Sequence, residues 1–421
     1  MKNKKAISLL FLANIISGFA QGISMIAIPW YFADILDMSG TYAKSYAILT
    51  FVSLFWGLYS GSLVDRYSRK RLFLFSNVIC ACIIGSIALM GHIIGDTPWY
   101  LVMVVFGTTM FHYNIHYPNL YAFGQEITEP KNYAKLNSYI EIQGQSTSII
   151  AGSFAAILLT GTENGILNIL GLNIPLPFNI APWKIHEIFL MDAITYVFAF
   201  LIILFIKHVP LVEKNIDKGS IFSRFKNGFT FLKENPQIFI FGVCSSAIFT
   251  FLIVEIFILL PSYVSHYLHE SADVFASSEV YYSIGALLAG IGIRSITKRL
   301  DIVDSIVLMM LVTIVTCLFL TFTKSIAILF IMSLVIGLTN AGTRILKTTF
   351  IFQKVPNNII GRSGSVFNSI SISLRTLLIL LFSSTFFADT ENVRYGYLIG
   401  GLFLLIATIP LLKNRKKLKS I

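Results

Sequence analysis

Some twelve windows of about twenty mostly apolar residues follow one another along this chain, separated by short polar breaks. They lie near 7–31, 43–64, 72–94, 98–124, 137–160, 185–207, 236–264, 275–297, 301–322, 325–350, 361–386 and 393–412. A window of that length crosses a ~30 Å hydrocarbon core as a helix. In lipid a spanning segment must satisfy its own backbone groups, which leaves helices and closed barrels. The breaks are too short for a sizeable soluble domain. The chain is 55% hydrophobic and 13% charged, where a soluble domain carries about 25% charged residues. The expected fold class is therefore an all-α integral membrane protein with about twelve transmembrane helices.

The formal net charge of +11 would suit a nucleic-acid partner, but its distribution argues against one. Lys and Arg collect in alternate loops: Lys2, Lys4 and Lys5; Arg66, Arg69, Lys70 and Arg71; Lys131 and Lys135; Lys207 through Lys233; Arg294, Lys298 and Arg299; Lys354 and Arg362; Lys413 through Lys419. The opposite loops hold only Lys44, Lys184, Lys324 and Arg394. This alternation follows the positive-inside rule and places both termini in the cytoplasm of a bacterial-type inner membrane. The tail KNRKKLKS reads as a topology anchor touching anionic lipid. MKNKK before an apolar run has the look of a signal peptide, but removing that helix would destroy the even count, so it reads as an uncleaved first span. Cys80, Cys82, Cys244 and Cys317 sit in apolar spans without metal-type spacing and read as packing residues.

A repeat divides the chain. GSLVDRYSRKR, Gly61 to Arg71, returns weakened as GIGIRSITKRL, Gly290 to Leu300, so that Gly61, Arg69 and Lys70 meet Gly290, Lys298 and Arg299 at one offset of 229 residues. EPKNYAKLNS is echoed by VPNNIIGRSGS, with Pro130 matching Pro356 at an offset of 226. A half-length echo among apolar helices marks a transporter of two like halves. The expected division is a six-helix bundle over 1–207, a cytoplasmic linker over 208–235 and a second bundle with a basic tail over 236–421. In the linker, Phe222, Phe225, Phe229 and Leu232 fall at helical spacing opposite Arg224, Lys226 and Lys233. That pattern predicts an amphipathic helix on the membrane face. The external loop 161–184 carries Pro175, Pro177 and Pro182. It reads as an insertion resting on the membrane surface, with a lid as the other reading.

GSLVDRYSRKR resembles the loop 2–3 signature of the major facilitator superfamily, in which Gly, three residues, Asp-Arg, two residues and a basic pair recur. Gly61, Asp65, Arg66, Arg69 and Lys70 fill those places, while Ser68 stands where the family has Gly. LNSYIEIQGQ, MDAITYV and FQKVPNNIIGRSGSVFNS are similar to the macrolide-efflux and enterobactin-exporter branch. GQSTSIIAGSFAA in span five lacks the Pro that antiporters of this kind carry. The resemblance implies a secondary transporter of twelve helices in two pseudo-symmetric six-helix bundles. It also implies that the loop motif gates the outward-open state, the alternative being that its charges only fix topology.

Polar groups in spans are costly and by default line a pathway. In span four, HYNIH sets His112 and His116 one turn apart, with Asn114 and Tyr117 close by. Spans one, two, four and five line the N-half cavity in the resembled family, which adds Gln21, Glu141, Gln143 and Gln145. In the second half the candidates are Glu255, Asn340, Arg344, Asn368 and Arg375, with Lys347 read as snorkelling near its helix end. Asp192 reads as a structural contact on a supporting helix. Glu255, or the His pair, would carry a coupling proton. Arg344 and Arg375 would neutralise an anionic substrate, or Glu255 and an Arg would form a buried ion pair holding helices together.

The expected function is proton-coupled export of a small amphipathic, drug- or macrolide-like molecule by alternating access. The alternative is a siderophore or other anionic metabolite moving in either direction. A lysophospholipid flippase and an intramembrane enzyme are more distant: HYNIH is one histidine box without the others, and HExxH is absent. No Gly-Lys-Ser/Thr phosphate loop supports an ATP-driven pump. The expected partners are a small-molecule substrate, protons and the bilayer, with no nucleic acid, no cofactor, no metal, and a monomeric state.

Overall fold

The computed structural model describes residues 3–129, 132–162, 165–207, 221–297 and 300–420. Helices dominate: α1 Lys4–Trp30, α2 Ser39–Arg66, α3 Arg69–Ile94, α4 Trp99–Glu126, α5 Tyr133–Thr160 and α6 Ile185–Leu204. After them come α7 Ile221–Glu234, the interrupted helix α8 over Pro236–Leu268, α9 Ala272–Thr297, α10 Ile302–Phe322, α11 Ile326–Lys354, α12 Asn357–Phe382, α13 Tyr395–Lys413 and α14 Arg415–Ser420. Among the described residues, ten of these are long and apolar enough to cross a membrane. The 28-residue helices α2 and α4 are as long, and in α4 Tyr, His, Asn and Gly dilute the apolar content.

Proline shapes two of the spans. Pro29 closes α1, which continues as a π-turn over Tyr31–Ile35. In α8 the helix breaks between Cys244 and Ala247, and π-turns cover Glu255–Leu259 and Tyr263–Leu268 on either side of Pro261. Pro261 has no N–H to give the preceding turn, so the ladder there must widen.

Contacts group the chain into two units, Met1–Tyr31 with Val52–Lys218, and Phe32–Phe51 with Gly219–Ile421. The first half of α2 thus groups with the second unit. Within that unit the Ser39 N–H donates to Asp389 Oδ1 at 2.9 Å, and the Ser265 hydroxyl donates to Asp34 Oδ1 at 2.9 Å. His266 Nε2 stands 2.9 Å from Asp37 Oδ1, and Tyr46 meets Phe257 edge to face.

In the first unit, α6 packs on α1 and α3, and α5 on α1. In the second, the most extensive packing joins α9 to α11 and α10 to α13. The α9–α11 contact is backbone against backbone. A β-carbon built on Gly285 would stand 1.9 Å from the Leu334 carbonyl oxygen, and one on Gly337 would stand 2.0 Å from that of Tyr282. Only glycine allows helices that close.

The linker helix appears as α7. Leu232 is buried, Phe229, Lys226 and Lys233 are exposed, and the helix packs along α12. The side chains of Phe222 and Arg224, and residues 208–220, lie outside the described set. The loop after α5 holds a hairpin, Ile166–Ile169 paired antiparallel with Leu172–Pro175. Its turn residues Leu170 and Gly171 both have positive φ, 56° and 75°, as a two-residue hairpin turn requires. Of the cysteines, Cys80 and Cys317 are buried, while Cys82 is exposed.

Candidate functional site

The first unit carries a buried polar knot. His112 and His116 are four residues apart, so they share one face of α4. The Gln21 amide donates to the Tyr196 hydroxyl at 2.8 Å and stands 3.4 Å from His112 Nδ1. His116 Nε2 lies 2.7 Å from Asn14 Oδ1. The His112 ring meets Tyr196 edge-on at 5.3 Å, and Phe73 meets His116 at 5.2 Å. Gln21, His112 and His116 are all buried, so their hydrogen bonds are made among α1, α4 and α6. Asp192 on α6 is buried as well, with the Ser24 hydroxyl as its polar neighbour. The sequence reading brought Gln21 together with the histidines but missed Asn14 and Tyr196, whose positions on α1 and α6 complete the knot.

Two other candidates of this unit lie apart. Asn114 is half-buried and its amide turns back to the Met110 carbonyl at 3.0 Å. Glu141 is exposed and accepts from Tyr121 at 2.9 Å.

The second unit holds ionisable groups. Glu255 begins the first π-turn of α8, is 4% exposed, and accepts from the Tyr397 hydroxyl at 2.9 Å. Tyr397 is itself fully buried and packs edge-on against Tyr263 at 5.0 Å. Glu279 on α9, which sequence reading overlooked, lies within electrostatic range of Glu255. Asn340 on α11 donates to the Tyr282 hydroxyl at 2.8 Å, and Arg344 lies exposed one turn on. Arg375 is within hydrogen-bonding reach of Tyr46. Among the described residues no ion pair joins Glu255 to an arginine, so the ion-pair reading finds no such contact.

A cavity of about 270 Å³ opens between α8, α11 and α12, lined by Ser246, Phe249, Lys347, Phe352, Phe367 and Asn368 among others. Asn368 was an expected pathway residue, while Lys347 was expected to reach toward its helix end. Instead Lys347 turns inward: its ammonium donates to Ser246 Oγ at 2.5 Å and sits 5.9 Å from the centre of the Phe367 ring. Lys347 follows Asn340 and Arg344 by seven and three residues, one helical stripe, and that spacing was the available signal.

The loop motif ties helices of the first unit together. Arg69 pairs with Glu126 at the end of α4, and its carbonyl accepts from the Asn119 amide at 2.8 Å. The Lys70 ammonium donates to the Leu204 and Ile206 carbonyls at 2.9 and 2.8 Å, a cation on the negative end of α6. Arg66 is exposed and Gly61 half-buried, while the side chain of Asp65 lies outside the described set. Of metal-type groupings among the described residues, Asp37, His266 and Asp389 bring ligand-type atoms within 4.8 Å of one another. Those groups already engage one another and the Ser39 N–H, which ties helix ends together.

Comparison with known proteins agrees with this architecture. The sequence profile of the Major Facilitator Superfamily matches residues 10–379. The chain is 21% identical over 366 residues to macrolide efflux protein A of Streptococcus pyogenes, covering 85% of this chain and 84% of that one. Among solved structures it is similar to a bacterial homologue of the human lysosomal transporter Spinster, with a TM-score of 0.73 and 14% identity over 99% of this chain and 98% of the other. The nucleoside transporter NupG gives 0.69 and 15% over 96% and 99%. At these identities the structures speak for the fold alone. Helices that span, a half-length echo and a profile match over most of the length converge: this multi-pass membrane protein belongs to the Major Facilitator Superfamily and is a transporter, not an enzyme.

Proposed function

We propose that the chain is a proton-coupled exporter of a small amphipathic molecule, working by alternating access as a monomer in a bacterial-type inner membrane with both termini cytoplasmic. The observation that carries this reading is Glu255, a carboxylate buried in a span and held by a tyrosine hydroxyl, with Glu279 rather than a cation as its charged neighbour. Burying a carboxylate's charge without a cation is expensive. Such a group is suited to taking up a proton and releasing it when its surroundings change. The broken ladder of α8 supplies a place for that change, since discontinuous helices at mid-membrane build the ion sites of secondary transporters. The direction of transport draws on the likeness to a macrolide efflux protein, and the orientation on the alternation of basic loops.

In this reading the Gln21–His112–His116 knot positions α1, α4 and α6, and Gly61, Asp65, Arg66, Arg69 and Lys70 act at the gate. Asn114, Glu141, Asn340, Arg344, Asn368 and Arg375 stand along the substrate path. The test is flux in proteoliposomes under an imposed pH gradient, with a macrolide, a cationic dye, a catecholate and a citrate-type siderophore as cargo. Wild type accumulates one of them only with the gradient, whereas Glu255→Gln does not. Gradient-driven flux equal to wild type in Glu255→Gln overturns the proton assignment. A second reading, transport of a siderophore or other anionic metabolite, is favoured by Arg375 and by the inward-turned Lys347.

A further inference from the structure

We propose that the cavity between α8, α11 and α12 seats the anionic group of an amphipathic ligand, with Lys347 recognising its charge. Treating that ligand as cargo rests on the transport reading above, whereas the binding itself does not.

Lys347 is the starting point. Side chains of a helix lean toward its N-terminus, so Lys347 leans away from the chain's polar turn at Lys354 and into the bundle. It finds a hydroxyl and an aromatic ring there. Among the described residues no carboxylate pairs with it. An intramembrane cation without a counter-charge is a functional site by default.

Its surroundings are arranged to accept a negative partner. The Ser246 hydroxyl has given its proton to the Gly242 carbonyl at 2.6 Å, so toward Lys347 it acts as acceptor. An ammonium has three donors, and one is used on Ser246. The others have no polar partner among the described residues and are placed for the oxygens of a carboxylate, phosphate or sulfonate. The floor is fixed by Phe367, whose ring stands 2.2 Å from where a β-carbon on Gly242 would be. Phe249 and Phe352 supply apolar wall, and Asn368 a further polar group. At about 270 Å³ the cavity falls below the ~300–1,000 Å³ of sites that enclose a drug-sized ligand. It therefore takes a head group with part of its tail, not a whole large molecule.

One chemistry has two sources here, an anionic lipid head group or a soluble amphipathic anion. The test uses the full chain in phosphatidylcholine nanodiscs, with decyl phosphate, decyltrimethylammonium and decyl maltoside as probes in a binding titration. Decyl phosphate is expected to bind wild type and to weaken by at least about tenfold in Lys347→Gln, the loss of one charge-assisted hydrogen bond. Lys347→Arg keeps the charge and restores most of the affinity, while the maltoside responds equally to all three proteins. Gly364→Phe fills the cavity from α12, where a β-carbon on Gly364 meets nothing within 4 Å. It should also abolish decyl phosphate binding, which keeps the test decisive should Lys347→Gln fail to fold. Adding phosphatidylglycerol to the discs separates the sources: competition that depends on Lys347 identifies a lipid head group, and its absence a soluble anion. Equal decyl phosphate affinity in wild type and Lys347→Gln, or undiminished binding in Gly364→Phe, overturns the proposal. Because no gradient is applied, a failure here leaves the Glu255 flux test standing, and a carrier that moves no protons leaves this result standing.

Discussion

The helix pairs α2–α4 and α9–α11 occupy matching places in the two halves of the repeat, yet they are joined by opposite means. At the offsets of the two echoes, Gly285 stands 229 residues after Trp56, and Gly337 stands 226 after Phe111. Where the second unit presses backbone on backbone at Gly285 and Gly337, the first interposes bulk: the Trp56 indole donates to the Phe111 carbonyl at 2.9 Å, with the rings 5.8 Å apart. Asn114 and Asn340 also correspond at 226. Asn340 reaches across to Tyr282, whereas Asn114 bonds within its own helix. The duplication kept helix positions and polar types but changed what they join. One pair is fused, and the other is spaced by side chains that can be repacked.

Experiments can break that contrast, in falling order of effect. Gly337→Leu should yield no monodisperse protein on size exclusion, because a carbonyl cannot retreat as a side chain can. Phe111→Leu at the matching place should leave a folded peak. If both behave alike, the contrast between a fused and a spaced pair is wrong. Next, Glu255→Gln should reduce pH-driven flux to the level of empty vesicles while counterflow persists, with Asp192→Asn retaining most of the driven flux. The reverse result would assign the proton to the first unit. Smaller still, Asn340→Leu should cost roughly 0.6 kcal/mol and at most about 1.7, as interhelical hydrogen bonds in membranes do. Thermal unfolding would detect it, and Asn114→Leu should sit closer to wild type. Finally, Trp56→Phe removes one hydrogen bond but keeps the ring, a loss of about 0.6 kcal/mol. A much larger drop would mean that the indole holds its pair as firmly as glycine holds the other.

Much of this architecture is legible in the residues, because hydropathy over twenty positions and alternating basic loops report directly on lipid and helix. The motif singles out Arg69 and Lys70, and polar residues in apolar spans single out Gln21, His112 and His116. Other features depend on three-dimensional facts that a linear pattern carries weakly. Glu279 gains meaning only beside Glu255, and the inward turn of Lys347 depends on the break in α8 that presents Ser246. The grouping of 32–51 with the second unit follows from contacts at helix ends, such as Asp389 with Ser39, which lie 350 residues apart in sequence. The hairpin at 166–175 hides among apolar residues that look like a fragment of a span.

That hairpin has a practical consequence. Residues 171–175, at the turn and along the second strand, are all exposed. Loop tips of this kind accept foreign sequence, so an epitope spliced there should leave the helices undisturbed. Antibody staining of intact against permeabilised cells would then report directly which compartment this end of the protein faces.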